Sequence, residues 1–282
     1  MHQIQNAVPR PHRRTVAGAA RLPAAAAVLA ACAVVAWAAA AGAPAGAAPG
    51  ARAAVRAAPA LAKPLAGKII GIDPGHNGRN WAFPRRINRL IWNGRQWEAC
   101  DTTGTETGRG YTEPRFTFNV AMYLAADLRL AGAHVVLTRT TNRGVGPCVN
   151  TRARILDRAH ANVSIDIHAD GGPSWGRGFT VLEPVADKTN RKVIRASVRF
   201  GHDVHLAFLR HTPIRVSDYY GTHGYVFRND LAGLNLTTMP KVLIECANMR
   251  NRADARLLTS PRVQKEIARA LEDAIIRFLA GH

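Results

Sequence analysis

The chain has 282 residues and carries 38 basic against 19 acidic side chains, a formal net charge of +19. Roughly the first sixty residues are mostly Ala, Gly and Pro, so about 220 residues remain to fold, enough for one domain with a substantial core. The first fifty residues hold four arginines and no acidic residue, so the remainder still has 34 basic against 19 acidic residues, or +15. Such a domain attracts polyanions. No helix-turn-helix, zinc-finger or RNA-binding signature accompanies the charge, so we expect no nucleic-acid partner.

Residues 1–48 are predicted to be an export signal. An arginine-containing start precedes an apolar, uncharged run at 22–41, and the small residues that follow offer cleavage sites to signal peptidase. A retained membrane anchor is the alternative, because the run approaches the ~20 residues that span a bilayer. The same segment also contains Arg13-Arg14, which fits a twin-arginine signal, and a stretch ending at Cys32 that fits a lipoprotein box.

Strand and helix patterns alternate after an Ala/Pro/Gly-rich linker at 49–66, so the folded domain is predicted to span 67–282. Apolar runs of strand length lie at Lys68–Asp73, Ala133–Thr138, Val163–His168, Gly178–Leu182 and Lys241–Glu245. Apolar residues at helical spacing predict helices at 114–132, 151–161, 188–209 and from the cap Ser260 to Ala280.

The irregular segment 80–110 interrupts this alternation, and Asn93-Gly94 within it indicates a hairpin turn. The rest of the pattern predicts a single α/β domain with a mostly parallel, twisted sheet flanked by helices.

Three cysteines lie beyond Cys32, and two of them should pair in an oxidising compartment. Cys100 and Cys148 both sit in polar, turn-rich sequence, so we expect a disulfide between them. Cys246 follows the apolar stretch 242–244 and is expected to be a buried thiol.

Four polar residues are predicted to converge at one edge of the sheet, where ligands of open α/β sheets gather. His76 lies just past the first strand, whereas His168 and Glu245 each close a strand. Glu113 stands directly before the helix that begins at Pro114, and the start of that helix faces the same edge.

Two imidazoles and one carboxylate with an open fourth position make a catalytic zinc site, and a second carboxylate nearby can act as a base. Each residue also has a simpler interpretation. A histidine at a strand end can hydrogen-bond a loop, and a glutamate before a proline can simply favour a helix N-terminus. The residues alone leave both interpretations open.

The local sequences around these residues occur in a distinctive order. The segments are Ile72–Asn77, Glu113 before a helix containing Asn119, Val136–Arg139, Ser164–Asp170 and Val242–Glu245. The ordered set resembles the zinc-dependent N-acetylmuramoyl-L-alanine amidases of the amidase_3 family, of the small actinobacterial type, from about residue 68 to the C terminus.

The resemblance implies zinc (Zn2+) on His76, Glu113 and His168, with Glu245 as the catalytic carboxylate. It also implies cleavage of the amide bond between N-acetylmuramic acid and the L-alanine of the peptidoglycan stem peptide. We therefore expect an exported monomer that acts on peptidoglycan in the periplasm, cell wall or medium, with anionic wall polymers as further partners.

The chain departs from the family pattern at two places. Asp170 stands where the family often has Asn, and segment 80–110 is longer than usual. No autoinhibitory helix or appended wall-binding module is evident.

Other polar residues have two interpretations each. His202 and His205 have a spacing that can bind metal, or they form a solvated helix face. A second cluster could line the substrate groove or pack its own loop; it comprises Tyr219, Tyr220, His223 and Tyr225.

Arg139 could meet a carboxylate of the stem peptide or an internal acid. Asp73 could orient a metal ligand or stabilise a turn. His134 and His160 are expected to be structural or at the surface.

Two alternative functions compete with the amidase. The first is another zinc hydrolase of peptidoglycan, such as a carboxypeptidase or a deacetylase. The second is a basic wall-binding protein without activity. Glu245 beside three candidate ligands argues against the second, because a binding module needs no general base.

Overall fold

The computed structural model describes residues 63–281, so the predicted export signal and most of the predicted linker lie outside the described residues. The strands are β1 (Ile69–Pro74), β2 (Leu90–Trp92), β3 (Trp97–Ala99), β4 (His134–Leu137), β5 (Val163–Asp170), β6 (Thr180–Pro184), β7 (Tyr225–Arg228) and β8 (Lys241–Asn248). Six of them form one sheet in the order β4-β1-β5-β8-β6-β7, and β2 pairs with β3 in a separate antiparallel hairpin.

The main sheet is mostly parallel, as predicted. Strands β4, β1, β5 and β8 run in one direction, since each neighbouring pair among them is parallel. Strand β6 is antiparallel to β8 and parallel to β7, so β6 and β7 run the opposite way. The carboxyl ends of β4, β1, β5 and β8 therefore share one edge of the sheet.

Helices cover both faces of the sheet. They are α1 (Pro84–Ile87), α2 (Glu113–Leu130), α3 (Val149–Arg158), α4 (Ile194–His211), α5 (Ala232–Asn235), α6 (Arg252–Leu258) and α7 (Pro261–Ala280). Buried residues of α2, α4 and α7 form the main core with one face of the sheet. On the other face, Leu156 of α3 packs beside β1 and β4, and Leu234 of α5 packs against β6 and β8.

Side-chain alternation along β5 explains why polar residues collect on the α3 and α5 side. Val163, Ile165 and Ile167 belong to the main core. Their neighbours Asp166 and His168 point to the opposite face, because successive side chains of a strand alternate. The same alternation in β8 puts Glu245 on that face.

Several element boundaries differ from the sequence predictions. Helix α4 begins at Ile194, six residues later than expected, because the buried Asn190 side chain binds the backbone of Val185, Asp187 and Leu234 and holds the preceding segment in turns. Strands β5 and β8 continue past His168 and Glu245, so neither residue is the last of its strand. Strand β7 and helices α1, α5 and α6 were not predicted.

The predicted disulfide is confirmed: Cys100 and Cys148 are joined, with their Cα atoms 4.5 Å apart. They form a small core with Ile91 of the hairpin and Ala232 of α5. Cys246 is a buried free thiol in the main core, also as predicted. Across residues 63–281, none of the helices combines the length and the apolar character needed to cross a membrane.

Candidate metal and catalytic site

The structure brings the three predicted metal ligands together. One ligand atom from each of His76, Glu113 and His168 lies within 4.8 Å of the others. Oε1 of Glu113 is 3.1 Å from Nε2 of His76 and 2.8 Å from Nδ1 of His168. Glu113 is the first residue of α2, and the two histidines come from the loop after β1 and from β5. The convergence at one edge of the sheet is therefore as predicted.

The loop after β1 can approach β5 only because residue 75 is a glycine. A Cβ atom at Gly75 would lie 2.3 Å from the imidazole of His168. The next residue, His76, has a φ of 57°, which is uncommon for a residue other than glycine. Such backbone strain persists where the surroundings fix it, and it clusters at functional sites.

Backbone N–H groups hold the carboxylate of Glu113. Oε2 accepts a hydrogen bond from Thr105 at 3.0 Å and Oε1 accepts one from Ala169 at 3.3 Å. Burial would raise the pKa of Glu113, but the charges of His76 and His168 and the hydrogen bonds from both rings outweigh it and bring the pKa below its ordinary value. Glu113 is therefore an ionised ligand candidate.

The surroundings of His76 and His168 stabilise the protonated, positively charged form of both rings. Burial lowers the pKa of His76, but Glu113 and Asp101 outweigh it and raise the pKa to about 9. Burial also lowers the pKa of His168, and the hydrogen bonds that its ring donates to Asp166 and Glu113 reverse that effect. The same fields attract a metal cation, and two imidazole nitrogens with a carboxylate oxygen are the donor set of many catalytic zinc sites. The residues therefore fit the metal that the resemblance implies.

The ring nitrogens that face away from the cluster have acidic neighbours. Nδ1 of His76 lies 3.3 Å from Oδ1 of Asp101 and 3.2 Å from the carbonyl oxygen of Thr102. Nε2 of His168 lies 3.6 Å from Oδ1 of Asp166. Acceptors in these positions fix the tautomer and the orientation of a metal-binding histidine.

A buried charge network joins these two carboxylates; its members are Asp73, Asp101, Arg152, Asp166 and Lys241. Arg152 contacts Asp101 at 3.1 Å and Asp73 at 3.0 Å. Lys241 contacts Asp73 at 3.1 Å and Asp166 at 3.5 Å. Asp73 thus touches neither histidine but connects the two cations. The chain of contacts runs from one candidate ligand to the other.

Glu245, the predicted catalytic carboxylate, lies beside His168 on the neighbouring strand. Its Oε2 is buried and has no hydrogen-bond partner within the described part of the chain. Burial raises the pKa of Glu245 to about 8, Glu113 and Asp170 also raise it, and His168 opposes them. A carboxyl group with this raised pKa can accept and return a proton near neutral pH.

Arg139 has backbone carbonyls and no internal acid as hydrogen-bond partners within residues 63–281, and its contact with a stem-peptide carboxylate stays a prediction. Its buried guanidinium donates hydrogen bonds to the backbone carbonyls of Pro74, Gly75 and Pro114. Carbonyl oxygens thus stand in place of the internal acid that the sequence suggested. Arg139 therefore ties the loop that carries His76 to the start of α2.

Two histidines of α4, His202 and His205, lie outside the metal cluster. The ring of His205 stacks on Tyr225, and its Nε2 lies 3.2 Å from the carbonyl oxygen of His223. Neither His202 nor His205 belongs to the group of three in residues 63–281 that could hold a metal.

Two tyrosines of the aromatic loop form hydrogen bonds within the protein, and two further histidines lie at the surface. Tyr219 donates a hydrogen bond to Asp170, and the Tyr220 hydroxyl accepts one from Arg228. His134 and His160 are exposed, as expected.

Sequence reasoning missed four residues of the network: Asp101, Arg152, Asp166 and Lys241. Two of them carried a usable signal, because Asp166 lies two residues before His168 and Lys241 four residues before Glu245, on the same strand faces. Asp101 and Arg152 lie in loop and helix sequence where spacing gives no such guide.

A cavity of about 230 Å³ lies beside the two histidines. Strand β3 contributes Glu98 and Ala99 to its lining, and Leu231, Ala232 and Gly233 contribute another part. The cluster thus borders a space next to the hairpin.

The chain is similar to known amidases. The family model Amidase_3, described as N-acetylmuramoyl-L-alanine amidase, matches residues 70–277. An N-acetylmuramoyl-L-alanine amidase of Mycobacterium tuberculosis is 38% identical over 217 residues, covering 77% of this chain and 88% of the relative.

Two crystal structures also match. The N-acetylmuramyl-L-alanine amidase of Mycobacterium smegmatis gives a TM-score of 0.73 at 35% identity, over 77% of this chain and 99% of that one. The enzyme of Mycobacterium abscessus gives 0.72 at 35% identity, over 76% and 100%.

Proposed function

The chain belongs to the Amidase_3 family of N-acetylmuramoyl-L-alanine amidases, and from this premise we propose that it works with zinc on His76, Glu113 and His168 and with Glu245 as the proton carrier. The enzyme hydrolyses peptidoglycan at the amide bond between N-acetylmuramic acid and the L-alanine of the stem peptide. The observation that carries the proposed mechanism is the His-Glu-His cluster with an unpartnered buried carboxylate beside it.

The ligand roles follow from the donor atoms. Nε2 of His76, Nδ1 of His168 and Oε1 of Glu113 would bind the ion, since these atoms face one another. Zinc held there would polarise the scissile carbonyl and lower the pKa of water towards ~7. Asp101 and Asp166 would keep the two imidazoles in orientation from the other side of each ring.

Glu245 would move the proton. Its carboxylate accepts a proton from the attacking water as the new carbon–oxygen bond forms, and then delivers it to the nitrogen of L-alanine as the carbon–nitrogen bond breaks. The products are the lactyl carboxylate of muramic acid and a stem peptide with a free amine. No covalent link to the enzyme is required.

One experiment tests metal and bond together. The purified protein should contain close to one zinc per chain, lose activity to a chelator and regain it with zinc. Mass spectrometry of a muropeptide digest should find free N-terminal L-alanine. Loss of terminal D-alanine or of acetate as the main reaction would contradict the bond assignment, and full activity after verified metal removal would contradict the metal.

We further propose that the enzyme acts as an exported monomer. An extracellular place agrees with its peptidoglycan substrate, and the +15 charge of the chain beyond residue 50 suits contact with anionic wall polymers. N-terminal sequencing of secreted protein would test cleavage near residue 48, and light scattering would test the oligomeric state.

A further inference from the structure

The outer face of the β2–β3 hairpin is apolar although it faces solvent. Leu90, Trp92 and Trp97 are 62%, 46% and 64% exposed. Trp92 is paired with Trp97 and Leu90 with Ala99, so these side chains share one face of the hairpin. The two indole rings contact edge to face at 5.7 Å, and both keep much of their surface open. We call Leu90, Trp92 and Trp97 the hairpin face.

The rest of the molecule fixes the hairpin firmly. Asn93 at its turn is fully buried and donates hydrogen bonds to Glu98 at 2.9 Å and to the carbonyl oxygen of Asp230 at 3.1 Å. Ile91, on the inner face, packs in the small core with the disulfide. These contacts fix the hairpin backbone and so keep the outer aromatic rings exposed to solvent. A contiguous apolar patch held in this way marks an interaction site.

The sequence in and just before the hairpin is strongly basic. Between residues 77 and 97 the chain has five arginines and no acidic residue. Arg89 and Arg95 have partners, since Arg89 donates to Cys148 Sγ and Arg95 pairs with Asp187. The other three, which are Arg79, Arg85 and Arg86, are exposed, and the ion pairs formed within residues 63–281 do not include them. A partner of this surface must offer apolar area and negative charge.

The hairpin that carries this face adjoins the catalytic cluster. Strand β3 leads within three residues to Asp101 and Thr102, which contact His76. Glu98 and Ala99 of the same strand line the cavity beside both histidines. A molecule bound on the hairpin would therefore lie close to the place where the bond is cut.

We propose that the hairpin face, together with Arg79, Arg85 and Arg86, binds the peptidoglycan strand beyond the amide that is cleaved. This inference rests on the amidase function. Apolar faces of sugar rings pack on indole rings through dispersion. Guanidinium groups pair with the carboxylates of neighbouring stem peptides. A long polymer whose amide lies at the catalytic cluster must also pass over the neighbouring surfaces. A lipid bilayer on the hairpin face would occupy the space that this polymer needs.

Binding to intact polymer tests the proposal directly. In the full chain carrying Glu245→Gln, which prevents digestion, Trp92→Ala/Trp97→Ala should bind purified sacculi about tenfold more weakly in sedimentation, since two anchor side chains are lost. Arg85→Gln/Arg86→Gln should weaken binding most at low salt. Trp92→Phe/Trp97→Phe should restore most of the affinity.

The matched control is Arg129→Gln/Leu130→Ala. It removes an exposed arginine and an exposed apolar side chain at the far end of α2, about 25 Å along the helix from Glu113. This variant should bind sacculi like the parent protein. Circular dichroism melts should show that all variants fold equally well.

Turnover separates this proposal from the amidase assignment. With Glu245 present, the Trp variant should hydrolyse a soluble monomeric muramoyl peptide within about twofold of the wild-type rate but sacculi more slowly. Equal sacculus binding by the parent and the Trp variant would contradict the proposed binding surface. So would a Trp variant that keeps sacculus binding but loses binding to anionic phospholipid vesicles, or one that loses dimer formation. A wild-type protein that hydrolyses neither substrate would refute the amidase function, while sedimentation would still report on the surface.

Discussion

Lys241 places its Nζ 3.1 Å from Oδ2 of Asp73 although its side chain has no exposed surface. Asp166 is its second partner, at 3.5 Å. Burial lowers the pKa of Lys241, but the two carboxylates outweigh it and raise the pKa above its ordinary value. The ammonium is therefore charged, and it compensates two carboxylates that would otherwise be buried close together.

The first prediction is that Lys241→Met destabilises the fold. Methionine keeps most of the length of the side chain but leaves Asp73 and Asp166 without their shared cation, and breaking a buried pair from one side costs about 3–5 kcal/mol. Urea denaturation should show this loss in the free energy of unfolding. Lys188→Met, at an exposed position, should change stability little. A buried pair that contributes nothing would instead leave the two variants equally stable.

The second prediction concerns Asp166→Asn, which removes the negative charge beside His168 but keeps the shape of the side chain. We expect zinc affinity to fall about 10–100-fold, the usual effect of losing an outer partner of a ligand. Competition with a chromophoric chelator measures this without any assay of activity. Asp127→Asn, on α2, is the control and should bind zinc normally. Unchanged affinity in Asp166→Asn would remove this residue from the positioning of His168.

The sequence was sufficient for five of the six strands of the main sheet and for the convergence of the four candidate site residues, because each of the four stands next to a regular element. His168 and Glu245 continue apolar runs, and Glu113 precedes a helix start. Parallel strands and the helices that follow them share an edge, so a local pattern gave a three-dimensional result.

The sequence was insufficient where a side chain finds partners far along the chain. Lys241 contacts Asp73 across 168 positions, and Arg152 contacts Asp101 across 51. Arg139 satisfies backbone carbonyls, which no residue pattern reveals. Short elements such as α5 were also missed, because four residues carry too little periodicity to detect.

The third prediction concerns the disulfide. Replacing Cys100 and Cys148 with alanine should lower the free energy of unfolding by roughly 4 kcal/mol in the loop-entropy model. Zinc affinity should fall as well, because Cys100 precedes Asp101 and Cys148 stands at the start of α3, which carries Arg152. Cys246→Ala is the control, and it should keep normal zinc affinity. Peptide mapping without reductant should find the first two cysteines linked; a bridge to Cys246 would contradict the structure.

The fourth prediction concerns pH and the metal-free protein. Burial raises the pKa of Glu245 from 4.5 to about 8 in the folded state. The folded protein therefore holds this proton more tightly than the unfolded chain, and the resulting stability is present below about pH 4.5 and is lost as the pH rises through about 8. Glu245→Gln has no such loss. The melting temperature of this variant minus that of wild type should therefore increase as the pH rises from 5 to 8. If this difference stays constant over that range, Glu245 is ionised throughout it.

The last prediction is that Glu245→Gln retains zinc but loses turnover. Glu113 and the two histidines would already provide three ligands, the number that a catalytic zinc site takes from the protein. Glutamine has nearly the same shape as glutamate and cannot accept a proton from water, so the rate should fall at least ~10²-fold. Metal analysis and hydrolysis of a soluble muramoyl peptide measure the two effects separately. If zinc is lost together with activity, Glu245 is a ligand and one of the three other residues must leave the coordination set. If turnover stays near normal, another group carries the proton, and the raised pKa of Glu245 reflects its burial beside Glu113 and Asp170 alone.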